Sequence, residues 1–201
     1  MTAPIELRTA RLVLSIPTGD DVDDITSACQ DESVQRWTTV PSPYSRRDAE
    51  TFVRDFVTAG WETGKTRTWA IRLASELDGD GRSATLVGMI GLEGIEDGAA
   101  EIGYWLAPVA RGAGIMSEAV AAVIDHAFAA DGVGLQRVQW RAYRGNRPSA
   151  RVAHGAGLRF EGTRRLGAVG RSGREDEWTA AILNTDERSS APGWPAEAVG
   201  G

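Results

Sequence analysis

Glu101-Ile-Gly-Tyr-Trp-Leu106, then Ala107-Pro-Val-Ala-Arg-Gly-Ala-Gly-Ile115, then Met116 to Ala130: this stretch decides the fold. The first piece is rich in β-formers and reads as a strand. The last carries Val120, Val123, Ile124, Ala127 and Phe128 on one side and stops at Asp131-Gly132, the pattern of a helix. Between them, Arg111-Gly-Ala-Gly-Ile-Met116 links a strand directly to a helix N-terminus. Two glycines let the backbone curl so that successive N–H groups face one concavity, and the helix end adds about half a positive charge. An anion such as a diphosphate would satisfy those donors, although many strand–helix turns use Gly for geometry alone. A dinucleotide fingerprint fits less well: Ser117 stands at the third Gly position, and the strands before the loop form a meander.

Working outward, Leu12 to Pro17 reads as a strand, and Thr18 to Asp21 as the capped start of a helix that buries Val22, Ile25, Ala28 and Cys29. Asp31 to Pro43 is irregular. Ser45 opens a second helix whose stripe runs from Ala49 to Trp61. Strands are expected at Thr68–Leu73, Thr85–Ile95 and Ala100–Leu106, with a mobile loop at Ser75 to Ser83 and a turn at Asp97-Gly98. After the central helix come a strand (Leu135 to Tyr143), a short helix (Asn146 to His154) and two strands about the turn Gly170 to Gly173. The fold class is α+β, a mixed and mostly antiparallel central sheet flanked by helices, with one strand–loop–helix–strand crossover. Residues 1–184 form one domain, and 185–201, rich in Ser, Ala, Pro and Gly, a flexible tail.

Composition narrows the function. Twenty-two basic against 28 acidic residues leave a net charge of −6, which argues against nucleic acid as partner. One Cys and two His make a disulfide or a His/Cys metal site unexpected. No window is apolar enough for a membrane span, Met1 to Arg11 lacks the apolar run of a signal peptide, and the expected location is the cytoplasm. Ala59 to Thr66 imitates a phosphate-binding P-loop, but there a helix ends and a strand begins, the reverse of the working order.

Arg111-x-x-Gly114-x-Met116 resembles the acyl-CoA pyrophosphate loop of the GCN5-related N-acetyltransferases (GNAT). The wider text is similar to their RimJ/RimL-like branch of ribosomal-protein N-terminal acetyltransferases: Leu7, Thr9, Arg11 and Leu12; Val87 to Leu92; Glu101 to Leu106; Arg111 to Ala119; and Asn146, Ser149, Val152, Gly157, Glu161 and Gly162. The resemblance runs from about Leu7 to Leu183. It implies an enzyme that moves an acetyl or other short acyl group from acyl-CoA to a primary amine by direct attack in a ternary complex. A protein N-terminus or a small-molecule amine could be the acceptor, and a homodimer is a family-level expectation. It also implies a splayed strand pair that holds the acyl-CoA.

Residue by residue, Arg111, Gly112, Ala113, Gly114, Ile115 and Met116 would bind the diphosphate, with Met116 in place of a small residue and its thioether turned inward. Backbone N–H groups near Trp105 and Leu106 would polarise the thioester carbonyl. Asn146 would bond the pantetheine arm, cap its helix, or both. The family's acid Tyr is Ala153 here, so Ser149 would protonate the leaving thiolate, unless its hydroxyl only bonds its own backbone. Glu101 is the candidate base for the incoming ammonium, or else an exposed strand-end acid. Arg144, Arg147 and Arg151 would lie near the nucleotide end, with Arg151 on a phosphate, or form a solvated face. Trp37 and Tyr44 would line the acceptor mouth or simply pack. The rival function is a non-catalytic acyl-CoA-binding sensor or interaction module.

Overall fold

The computed structural model describes residues 4–76 and 85–200. Eight strands form one sheet in the order β1-β2-β3-β4-β5-β6-β8-β7. They are β1 (Leu7–Arg8), β2 (Leu12–Ser15), β3 (Thr66–Leu73), β4 (Gly88–Glu96), β5 (Ala99–Leu106), β6 (Arg137–Tyr143), β7 (Arg159–Gly170) and β8 (Gly173–Leu183). Every neighbouring pair is antiparallel except β5 and β6. That exception follows from the crossover through the central helix, here α5 (Ile115–Phe128). The expected mixed, mostly antiparallel sheet is therefore the fold. The loop expected at Ser75 to Ser83 falls mainly outside the described residues.

The parallel pair is short. Ala99, Ala100 and Glu101 stand opposite Arg137, Val138 and Gln139, and beyond that row the strands part. This is the splayed pair. One face of the sheet, with Trp69, Ile90, Leu92, Ile102, Val138 and Trp140, packs on α5 and α6 (Arg147–Gly155). On the other face, Ala70 and Met89 meet Val22, Ile25 and Cys29 of α1 (Val22–Cys29), together with Val34 and Val53. Cys29 is the small core residue its spacing predicts, and burial pushes its thiol up to about 12.

Three expectations need correction. Asp31 to Pro43 is not wholly irregular: α2 (Glu32–Trp37) lies inside it, capped by the Asp31 carboxylate on the Val34 N–H. The second helix contains a π-helical turn, Phe52–Val57, between α3 (Arg46–Thr51) and α4 (Thr58–Thr63). Nor is the C-terminal segment loose. Trp194 packs with tilted rings 5.3 Å from Phe160 and 5.7 Å from Trp140, and its indole N–H donates to the Leu158 carbonyl. Ala198, on α7 (Ala196–Val199), is fully buried. One large aromatic outweighs the low-complexity composition around it, since aromatic pairs add about 0.5–1.5 kcal/mol beyond area burial.

Candidate active site

The loop between β5 and α5 has the conformation its glycines suggest. Gly112 and Gly114 sit at φ +82° and +73°, a region L side chains rarely adopt, and Gly114 caps α5. Arg11, just before β2, braces this turn: its guanidinium donates to the Ala113 carbonyl (3.0 Å) and pairs with Glu118 (2.6 Å), which also holds the Thr9 hydroxyl. The three motif residues Thr9, Arg11 and Glu118 thus fasten the sheet edge to the first turn of α5. Met116 is buried, its thioether in the core.

A cavity of ≈ 500 Å³ opens over this loop, lined by Leu106, Arg111, Gly112, Gly114, Ile115 and Met116. Ala113 is not among its walls and meets the site only through the carbonyl that Arg11 holds. Arg111 does not reach freely into the cavity. It donates to the Leu106 carbonyl (2.9 Å) and to Ser33 Oγ (2.8 Å) and pairs with Asp31 at 3.0 Å. Those bonds from Ser33 and Arg111 hold the Asp31 carboxyl below the usual carboxylate range.

A second cavity of ≈ 540 Å³ runs along β4, β5 and β6, lined by Met89, Gly91, Glu93, Glu101, Gly103 and Arg141. The two share one wall: Trp37, Thr38, Tyr104, Trp105, Asn146 and Ser149. Their common boundary is the gap where β5 leaves β6. Ser149 is anchored there. Its Oγ accepts the Trp140 indole N–H at 3.0 Å, and its carbonyl accepts the Tyr104 hydroxyl at 2.9 Å. Ser149 lines both cavities, and a hydroxyl that accepts this bond keeps its own proton to donate. Asn146 is the N-cap of α6, its side chain accepting from the Ser149 N–H at 3.4 Å, while it also lines both cavities.

The far end of the second cavity is acidic. Glu101 on β5 and Glu93 on β4 are register partners and line the same wall. Glu101 is held by Arg141 of β6, whose Nε and Nη2 lie 2.6 and 2.5 Å from one carboxylate oxygen. Glu177 of β8 stands behind, paired with Arg164 at 2.7 Å. Glu93 forms no hydrogen bond or ion pair among the described residues. The cavity walls and the neighbouring Glu101 charge raise its pKa, which Arg141 partly offsets.

The arrangement brings together Trp37, Glu101, Trp105, Leu106, the loop, Asn146 and Ser149. It separates others. Tyr44 is buried with its hydroxyl against Cys29, not at the mouth, because its ring fills the core under α1. Arg144 pairs with Asp176 and Glu197 and, with Arg147, borders a shallow pocket near α7. Arg151 is exposed on α6 and lines neither cavity. Sequence reasoning missed Glu93, Arg141, Trp140 and Asp31. Only Asp31 left a local signal, as an Asp three residues before Val34 in a helix-start pattern.

Comparison with known proteins bears on the fold and the family. Bacillus subtilis (strain 168) has a relative named "Probable N-acetyltransferase YjcK", 37% identical over 105 residues, which are 51% of this chain and 57% of that protein. An acetyl transferase from Salmonella typhimurium that modifies the N-terminal serine of ribosomal protein L7/L12 superposes with a TM-score of 0.76. It is 20% identical, covering 89% of this chain and 99% of its own. Mycobacterium smegmatis RimJ in complex with CoA-disulfide gives a TM-score of 0.74 at 22% identity, over 90% and 86% of the two chains. The acetyltransferase (GNAT) domain profile matches residues 11–159, and the chain belongs to that family of acetyltransferase enzymes.

Proposed function

We propose that this enzyme transfers an acetyl group from acetyl-CoA to a primary amine, the two substrates entering by separate cavities. The observation that carries the reading is the pair of cavities sharing one wall at the β5–β6 gap, one ending on the N-terminus of α5, the other on carboxylates. A diphosphate suits the first end, where free N–H groups and the helix dipole converge. An ammonium suits the second.

The chain's own groups cover the three needs of acyl transfer. A carboxylate in the acidic end takes the ammonium proton. The backbone N–H of Leu106, on the side of β5 that β6 has left, donates to the thioester oxygen as it gains charge, while that of its neighbour Trp105 points to β4. The amine nitrogen then bonds the acyl carbon, the C–S bond breaks, and Ser149 gives its hydroxyl proton to the departing sulfur and is reprotonated from solvent. Asn146 holds the amide-rich arm at the junction, and Trp37 forms the acceptor wall. No covalent enzyme intermediate is needed. The candidate thiol, Cys29, is buried with its pKa at about 12.

The named acceptor of the Salmonella relative, an N-terminal serine, supports a protein α-amine as the first acceptor to try. The test is release of free CoA thiol from acetyl-CoA with peptides bearing a free N-terminal Ser or Ala, amino acids, polyamines and aminoglycosides. Thiol release dependent on one acceptor class is expected. Tight acetyl-CoA binding without turnover on any of them would make the protein an acyl-CoA-binding module instead.

A further inference from the structure

We propose that Glu93, the unpaired carboxylate of the acceptor cavity, is the group that takes the acceptor's proton, and that Glu101 with Arg141 positions it. The inference rests on the transferase reading above and names one catalytic residue within it.

Three observations carry it. Glu93 and Glu101 face each other across β4 and β5 as the last in-register pair before a bulge between Glu93 and Glu96, where Gly94 turns to φ +61°. A bulge of this kind re-aims the neighbouring side chain, and such bulges gather beside active sites. Of the two carboxylates, Glu101 already gives one oxygen to two N–H groups of Arg141. A proton placed there would cost Arg141 that close ion pair and leave it only the longer contact with Glu177, at 3.9 Å. Glu93 has no such partner, so taking a proton costs it no ion pair and relieves its repulsion with Glu101.

The third observation is the floor between the carboxylates and the gap. Gly91 and Gly103 are register partners, flanked by Glu93–Glu101 on one side and Met89–Trp105 on the other. A Cβ at Gly103 would meet nothing within 4 Å. An amine can therefore lie on bare backbone, about 7 Å of strand from either neighbouring row. From there its nitrogen faces Trp105 and the gap in one direction and Glu93 in the other. The ammonium N–H bond breaks toward a Glu93 oxygen, the nitrogen lone pair is freed for attack, and the carboxylic acid returns its proton to water at the open side of the cavity.

The experiment compares kcat from pH 5 to 9 for the wild type, Glu93→Gln and Glu101→Gln, using whichever acceptor first supports thiol release. Glu93→Gln should lower kcat at pH 7 by about 10²-fold and erase the acidic limb of the profile. Glu101→Gln should keep that limb and move it to lower pH, because the like charge that raises Glu93 is gone; a structural role would not produce this shift. A limb that survives in Glu93→Gln, or vanishes in Glu101→Gln, overturns the assignment. A carbon-13 NMR titration of the glutamate carboxyls checks it without turnover. Glu93 should titrate above the other glutamates and fall in Glu101→Gln, and titration together with the others would count against it. If the wild type releases no thiol with any acceptor, the transferase reading itself fails, a result the variants cannot mimic.

Discussion

At the residue scale, Ser149 shows how neighbours turn a common side chain into a directed one. Trp140 supplies the hydrogen bond that Oγ accepts, and Tyr104 ties down the same residue's carbonyl, so both the oxygen and the backbone that carries it are fixed. If the hydroxyl protonates the leaving sulfur, Ser149→Ala should reduce kcat by about 10²-fold with little change in the Kd for CoA. Trp140→Phe, which keeps a six-membered aromatic ring but loses the pyrrole ring and its N–H, should cost several-fold through the same step. An unaltered kcat in Ser149→Ala would return that residue to a helix-start role. Much of this was legible in the sequence. Gly112, Gly114 and Asn146 announce themselves because positive φ and helix capping demand particular residue types at particular places. Glu93 gave no such sign. Its importance depends on lying opposite Glu101 with Arg141 beside them, a matter of strand register and of one long-range ion pair.

At the element scale, α2 links the two cavities. Its N-cap Asp31 holds Arg111 at the cavity over the α5 loop, while Trp37 at its C-terminus lines both cavities. On the proposed reading, a diphosphate arriving at the loop would compete with Asp31 for Arg111. Asp31→Asn keeps a capping oxygen and removes the charge. Because the pair is partly exposed, CoA should bind about two- to fivefold tighter in the variant, by isothermal titration. The sign with pH follows from the lowered pKa of Asp31. Its carboxylate stays charged throughout the ordinary range, so the affinity ratio should be flat from pH 8 to about pH 5 and close only below that. Equal affinities at pH 7 would show that the ion pair opposes nothing. This helix escaped sequence analysis because six residues carry too little periodicity to stand out, and Pro41 and Pro43 beside it read as loop.

At the scale of the whole molecule, the strand order follows from hydrophobic patterning and short connections, which is why the mixed sheet could be expected without coordinates. The C-terminal segment could not, since its composition is that of a linker and only Trp194 and Ala198 contradict it. Where β5 leaves β6 after the row Glu101–Gln139, the sheet is unstitched along its middle. A pantetheine arm, itself a chain of amides, would serve there as a provisional strand, and the transferred group would travel on a piece of the protein's own secondary structure. Ligand and fold then share hydrogen bonds, so the backbone amides of Gly103 to Leu106 that face the seam should exchange with deuterium faster than their partners toward β4. Saturating CoA should slow them at least tenfold, while β7 and β8 remain unchanged. Uniform slowing across the sheet would mean general stabilisation, and the seam would then be a gap the ligand fills without joining.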